Sequence, residues 1–593
     1  MGHVVDHVDM VLAKWFLTPQ ERQNPHTRVD AAHPRGDGWT TGNRVRPLIH
    51  GCAYFAELYE RLNEMGPGDR VYFVDWRGDP DQQLSDDPGS TLTQTLVAAS
   101  RRGVDVRGLL WRSHWRHLGF QSDKARFLGE DIGDAGGECL RDMRVRTLGA
   151  HHQKFVVLRH SADPTQDIAY VGGIDLCRGR RDDAAHHGDK QSLPMAAAYG
   201  PTPAWHDVQV AIQGPAVHDV ETTFFERWQD STPLTLNPGR GLSSLLQGED
   251  QTPDPLGEQS PPPASVPGAH SAVQVLRTYP KILPKGFDFA PQGERSIALG
   301  NTKALANARR LVYVEDQYFW SEQVGNHFAT ALAENSQLRL VVVLPIEPDL
   351  GKPIGRTAML YARKLALDPV LEAGGDRVAI FGLTNQEGLP IYVHSKVCIL
   401  DDRWASVGSD NFNRRSWTSD SEIAVAIQDG RADADDHRPA PPDAFPLELR
   451  RSLVAEHLGC SPDEVPDDPD ALFDTMVASA DALDTWFAGL SDGSRHRLSQ
   501  WSAHVAERTR RRHGHRSARA RARVARNAGG FLTRRSQSAD RPPGRLRRLA
   551  APELTRWQQQ WAKVLYPVFD PDGTILRAED LEEMTTPEMT TGH

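Results

Sequence analysis

The stretch VHSKVCILDDRWASVGSDNFNRRSW (residues 393–417) alternates like a buried strand, yet it carries a histidine and a lysine two positions apart. Side chains in a strand repeat every second residue, so His394 and Lys396 share one face while Val397 and Ile399 pack on the other. The run then enters a Gly-Ser-Asp-Asn turn crowded with hydrogen-bonding groups. Taken alone, such a pair fits an ordinary edge strand with one solvated face.

The pattern occurs twice. Residues 150–178, AHHQKFVVLRHSADPTQDIAYVGGIDLCR, place His152 and Lys154 at the same spacing, before an apolar tail and a second strand ending in Gly-Gly-Ile-Asp. Downstream, HDVQVAIQG (206–214) matches SEIAVAIQD (421–429), which aligns Asp207 with Glu422. Upstream, DRVYFVDWRGD (69–79) parallels RRLVYVEDQYFW (309–320), and VDVRGLLWRSH (104–114) parallels LRLVVVLPIEPD (338–349). Four matching elements in one order mark an internal duplication of whole domains, far longer than a solenoid repeat. Strand patterns alternate with helical ones, such as Thr91–Arg102 and Phe328–Leu338, so each half is expected to be α/β around a central sheet.

The 593-residue chain is long enough for more than one buried core, and its net charge of −11 argues against general nucleic-acid affinity. Cys52, Cys139, Cys177, Cys398 and Cys460 are scattered and odd in number, which speaks against a disulfide framework and a zinc site and suits a reducing compartment. No signal pattern opens the chain and no apolar run is long enough to span a bilayer, so a cytoplasmic protein, at most peripheral at a membrane, is expected. The Pro- and acid-rich 248–270 reads as a linker. The expected division is 1–235 for the first half, 236–270 for the linker, 271–460 for the second half, and 461–593 for a helical, Arg-rich extension with an acidic tail. The Arg-rich 508–548 arm is open to docking on anionic lipid, on nucleic acid, or to being a solvated segment. The loop RDDAAHHGD (181–189) is read as solvated rather than as a cation site.

HSKVCILDDRWASVGSDN fits HxKxxxxDxxxxxxGSxN without a gap, and the chain resembles the phospholipase D superfamily over residues 40–460. The first copy and the segment VYVEDQYFW (312–320) are similar to its two-motif, lipid-acting branch. The fold expected is two similar α/β/α sandwich domains with mixed central sheets, related by pseudo-twofold symmetry, plus the helical C-terminal extension. The resemblance implies a monomer acting on phospholipid at a membrane surface, by hydrolysis or transphosphatidylation, with no metal and no cofactor. It also implies that His152 is the nucleophile and His394 the acid and base, with Lys154, Lys396 and Asp401 completing the catalytic motifs. Ser409, Asn411, Gly173, Asp175 and Gln317 are the substrate-binding candidates.

The chemistry supports these residue types independently. Phosphodiester cleavage needs a nucleophile, positive charge against the phosphoryl oxygens, and an acid for the leaving alcohol, which two histidines and two lysines supply. A carboxylate on one ring nitrogen fixes a histidine's tautomer, and Asp207 and Glu422 are each assigned to the histidine of their own half. The first motif departs from the pattern: Arg159 stands where the second has Asp401, with Asp163 or Asp167 as substitutes for a bracing role. Apolar residues of SLPMAAAYGPTPAW (192–205) are the candidates for acyl contact. A cardiolipin-synthase-like transferase, a nucleic-acid phosphodiesterase and an inactive scaffold are the competing readings.

Overall fold

Val- and Ile-rich runs become strands and the amphipathic runs between them become helices. The computed structural model describes residues 7–112, 124–146, 149–193, 195–235, 241, 246, 249–283, 285–348, 353–431, 440–489 and 541–569.

After α1 (His7–Trp15), the first half runs β1 (Thr40–Ile49), α2 (Gly51–Glu64), β2 (Arg70–Asp75), α3 (Leu92–Arg101), β3 (Asp105–Trp111), α4 (Lys124–Asp134) and β4 (Glu138–Asp142). It continues with β5 (Phe155–Arg159), β6 (Ile168–Gly172), β7 (Ala204–His206), β8 (Val208–Gln213) and α5 (Ala216–Trp228). The second half opens with β9 (Ser271–Tyr279), β10 (Glu294–Arg295), α6 (Ser296–Asn307), β11 (Leu311–Glu315), α7 (Glu322–Glu334), β12 (Arg339–Val343), α8 (Pro353–Gly374) and β13 (Val378–Thr384). Then come β14 (Pro390–Val393), β15 (Val397–Leu400), β16 (Trp404–Gly408), α9 (Arg414–Thr418), β17 (Glu422–Asp429) and α10 (Phe445–Leu458). The chain goes on through α11 (Pro469–Gly489), β18 (Leu546–Arg548) and α12 (Arg556–Phe569).

The first sheet has the order β4-β3-β2-β5-β6-β8-β1. The second has the order β13-β12-β11-β15-β16-β17-β9. In both, the first two pairings are parallel and the other four antiparallel, so the duplication extends to every strand of the core sheets. The register agrees as well: Val74 pairs with Phe155 as Glu315 pairs with Val397, which makes Asp75 and Asp316 counterparts.

Among the described residues, strands of the two halves pair at two places, and an isolated parallel bridge joins His151 to Ser421. β1 pairs with β8 and, at Thr40 and Asn43, also with β9. β14 runs parallel to β7, with Val393 opposite His206. Apolar residues of both inner faces, α5 and α10 form one continuous core, while α2–α4 and α6–α8 cover the outer faces. Both faces of each sheet are therefore buried, which explains why a segment such as Val341-Val342-Val343-Leu344 is apolar without alternation. Each such side chain contributes about 1.5–3 kcal/mol by leaving water. Leu12, Trp15 and Phe16, at the start of the chain, pack into the outer core of the second half.

Two expectations need adjustment. The C-terminal extension is not helical throughout, because β18 pairs antiparallel with the edge strand β13 and covers an otherwise open edge. The linker is strapped down where it is described: Arg70 donates to the Glu258 carbonyl, Arg159 to that of Pro261, and Trp228 to that of Asp254. Of the Arg-rich arm, residues 508–540 lie outside the described residues. Beyond them, Arg545 and Arg547 are held in ion pairs with Glu456 and Asp484. Among the described residues, no helix is long and apolar enough to cross a membrane.

Candidate active site

His152 and His394 stand just before β5 and β15, at equivalent sheet ends that face each other across the two halves. Backbone bonds stitch these ends together: His152 N–H donates to the Ser421 carbonyl at 2.9 Å, and His394 N–H to that of His206 at 2.8 Å. The segment carrying each motif histidine thus lies beside the residue that precedes the carboxylate of the opposite half.

That stitching decides the carboxylate pairing, and it reverses the expected assignment. His152 Nδ1 is 3.0 Å from both oxygens of Glu422, and His394 Nδ1 is 2.7 Å from Asp207 Oδ2. The pairs are crossed. Within one sheet, β6 separates β5 from β8, whereas the facing sheet ends abut directly. Both carboxylates are buried and further bonded, Glu422 by the hydroxyls of Ser409 and Ser416 and Asp207 by the indole of Trp205 at 3.2 Å. Ser409 is accordingly a positioning residue for Glu422. Each acid accepts the Nδ1 proton and leaves Nε2 of its histidine for chemistry.

The remaining candidates surround the same point. Lys154 Nζ is 3.2 Å from Asp175, whose other oxygen meets Arg180 at 2.9 Å. Burial alone would raise the Asp175 carboxyl, but Lys154, Arg180, His394 and His152 together hold it below the ordinary carboxylate range. Lys396 Nζ lies 3.2 Å from Gln317 Oε1, and Gln317 donates to the Tyr392 hydroxyl at 2.9 Å. Burial, with Lys154 adding repulsion, pulls Lys396 down to about 8 against the attraction of Asp207. Burial, then Lys396 and Arg180, holds His394 well below the usual imidazole range. Asn411 keeps a buried amide oxygen without a hydrogen-bond partner. Gly173 is required for space, since a Cβ there would come within 2.2 Å of Asp207 Oδ1.

Asp401 is the exception, and it leaves the catalytic set. It lies seven residues beyond His394, past the far end of β15, roughly 20 Å away at the rise of a strand. Its carboxylate accepts the backbone N–H groups of Arg309, Arg310 and Leu311 at 2.6, 2.8 and 2.7 Å and so caps the start of β11. In the first half, the bracing acid has moved to the partner strand: Asp69 accepts from Ser161 N at 2.8 Å. Neither proposed substitute takes that role. Asp163 caps the short turn over 164–166, and Asp167 accepts from His160 N. Arg159, buried between Asp167 and Glu221, is free to anchor the linker. Asp401→Ala is therefore expected to cost about 2–4 kcal/mol of stability, from three N–H groups left without an acceptor. Turnover per folded molecule should stay near that of the parent. Denaturant melts beside active-site-normalised rates check this.

The Phospholipase D family model matches residues 130–342 and 381–511, more than half of the chain, and takes in both motif histidines. The chain belongs to the phospholipase D family. A second model, "Cardiolipin synthase, PLD-like domain", matches residues 302–436. Phospholipase D gamma 2 of Arabidopsis thaliana is 26% identical over 500 residues, covering 63% of this chain and 58% of the relative. Phospholipase D alpha 1 of Cynara cardunculus is 27% identical over 392 residues, 49% of this chain and 47% of the relative. The chain thus spans about half the length of these curated relatives. Among solved structures, the phosphatidylserine synthase of Haemophilus influenzae Rd KW20 aligns with a TM-score of 0.44 at 14% identity, covering 65% of this chain and 82% of that one.

Several members of this site carry no motif of their own. Asp75 and Asp316 each accept backbone N–H groups of the turn after the second motif strand, at Leu176 and at Phe412, and so fix the two turns alike. Trp205 packs 4.9 Å from the His394 ring with Arg180 stacked on it at 3.9 Å, while Trp76 stands edge-on to His152. Asp316 and Trp205 were signalled by their places in VYVEDQYFW (312–320) and SLPMAAAYGPTPAW (192–205), and Asp75 and Trp76 by the parallel segment DRVYFVDWRGD (69–79). The 181–189 loop also departs from expectation. His186 is fully buried, not solvated, and with His50, His206 and Glu456 it brings ligand atoms within 4.8 Å of one another.

Proposed function

We propose that the chain is a phosphodiesterase of the phospholipase D type that hydrolyses or transphosphatidylates glycerophospholipids through a covalent phosphohistidine. The crossed pair of carboxylate-held imidazoles, flanked by two lysines, carries this reading. His152 keeps 16% of its side chain exposed and His394 only 5%, so His152 is the ring open to in-line approach. Its Nε2 attacks phosphorus, the P–N bond forms, and the bond to the leaving oxygen breaks. Burial, with Lys396 and Arg180, disfavours the charged form of His394 in the free protein. The negative charge of the bound diester offsets Lys396 and Arg180 and lets Nε2 take up the proton that it then gives to the leaving alcohol. Water, or a second alcohol, next returns a proton to His394 as its oxygen attacks phosphorus and the P–N bond breaks. Lys154 and Lys396 face the charge that builds on the non-bridging oxygens.

One chain carries both halves of the site, so a monomer suffices. The lipid substrate rests on the names of the relatives and on the 192–205 loop. Its Tyr199 and Trp205 are buried against Tyr392 beside His394, and its Leu193 and Met195 are half-buried at the surface. The sequence of residues 508–540 is rich in Arg, a composition suited to an anionic headgroup surface, whereas Arg545 and Arg547 are engaged in ion pairs. Replacing Leu193 and Met195 with Ser is expected to lower turnover of phosphatidylcholine vesicles roughly tenfold, the equivalent of about 1.4 kcal/mol of lost apolar contact. Hydrolysis of a small soluble diester should hold steady. Vesicles, a chromogenic soluble diester and single-stranded DNA assayed side by side test the substrate class. DNA cleavage without headgroup release would overturn the lipid reading.

A further inference from the structure

Behind Asp207 lies a second cluster of titratable groups that the proposed reaction does not use. His50 follows β1, His186 sits in the 181–189 loop, His206 ends β7, and Glu456 comes from α10 of the other half. The three imidazoles are 1%, 0% and 0% exposed. Glu456 receives His50 Nε2 at 2.7 Å and His186 Nε2 at 2.8 Å, and His206 Nδ1 stands 3.5 Å away. His206 Nδ1 is buried and has no hydrogen-bond partner.

A second layer orients two of the rings. His206 Nε2 lies 2.7 Å from Glu315, whose carboxylate also receives Ser395 Oγ, Tyr313 OH and His457 Nε2 at 2.6–2.8 Å. An acceptor so fully supplied holds Nε2 of His206 and turns its Nδ1 toward the cluster. His186 Nδ1 is backed by Asp182 at 3.4 Å, which turns its Nε2 inward in the same manner. Asp207 N–H approaches His50 Nδ1 at 3.5 Å. Asp182, Glu315 and Glu456 bring three carboxylates, and Arg545, 3.1 Å from Glu456, brings one guanidinium.

The cluster is also one-sided. Ser421 occupies the position of His206 in the second half, and Val74 that of Glu315 in the first. A duplicated fold that forms without these groups on one side does not require them for its sheets.

We propose that His50, His186, His206 and Glu456 bind a structural divalent transition-metal ion of the zinc type. Three imidazoles and a carboxylate form a closed, four-coordinate donor set of that class, with the carboxylate-backed rings such ligands use. Tetrahedral bonds of about 2.1 Å place ligand atoms about 3.4 Å apart, and the donors here already lie within 4.8 Å of one another. The ion would tie β1, the 181–189 loop and β7 to α10, and so pin the first half to the second directly behind the residue that orients His394.

Metal analysis of the full-length protein, stripped with a chelator and refilled with Zn²⁺ or Co²⁺, tests this. The expected result is one ion per chain, the visible absorption of four-coordinate cobalt, and a rise in Tm of about 5 °C or more over the stripped protein. His186→Gln and His206→Asn should drop the stoichiometry below about 0.1, whereas His152→Ala, in the active site, should keep one ion. X-ray absorption on the zinc-loaded parent, which depends on no variant folding, should show three imidazoles and one oxygen. Folded protein that takes up no stoichiometric Zn²⁺, an ion retained in His186→Gln but lost in His152→Ala, or a zinc shell without imidazoles would overturn the proposal.

Discussion

Replacing His152 with alanine is expected to lower phosphodiester turnover at least ~10⁴-fold, because the variant has no group to form the P–N bond. His394→Ala should be as poor on a lipid, whose alcohol leaves only when protonated. With a nitrophenyl diester the two variants should part company. Nitrophenolate departs without an acid, so His394→Ala should release about one equivalent in a burst and then stall, lacking the base that activates water. His152→Ala should give no burst. Stopped-flow absorbance on both variants checks this, and equal behaviour of the two would contradict the division of roles.

The crossed carboxylates give the second large effect. Asp207→Asn and Glu422→Gln are each expected to cost about 10²–10⁴-fold in kcat, since an amide no longer enforces the Nδ1–H tautomer. Because activity alone cannot separate a crossed site from an uncrossed one, the decisive readout is ¹⁵N NMR of the imidazoles. Asp207→Asn should move the ring nitrogens of His394 and leave His152 in place, and Glu422→Gln should do the reverse. Shifts confined to the histidine of the same half would restore the assignment that sequence order suggests.

Why that assignment misleads is a matter of what a duplicated sequence encodes. The period of two in the motif strands makes His and Lys neighbours on one face, and the aligned flanks carry the strand order of both sheets, so both were legible. Which sheet end abuts which is written only in long-range contacts. His152 meets Glu422, and His186 meets Glu456, each across 270 positions. A polar loop such as RDDAAHHGD looks solvated until α10 closes over it. Asp401 shows the converse: a motif position that stands out by spacing turns out to hold a strand end, three backbone N–H groups at a time. The first half solved the same capping problem from the partner strand with Asp69, which left Arg159 for the linker.

The central claim is that one composite site cleaves a phosphodiester through a covalent bond to His152. Its most direct test is to quench the parent protein under alkaline conditions during turnover of a phosphorus-labelled phospholipid and to map the labelled peptide. Phosphoryl label on His152, absent from His152→Ala and, with a labelled nitrophenyl diester in place of the lipid, accumulating in His394→Ala, is the predicted result. Turnover without any label, or label on His394, would contradict it.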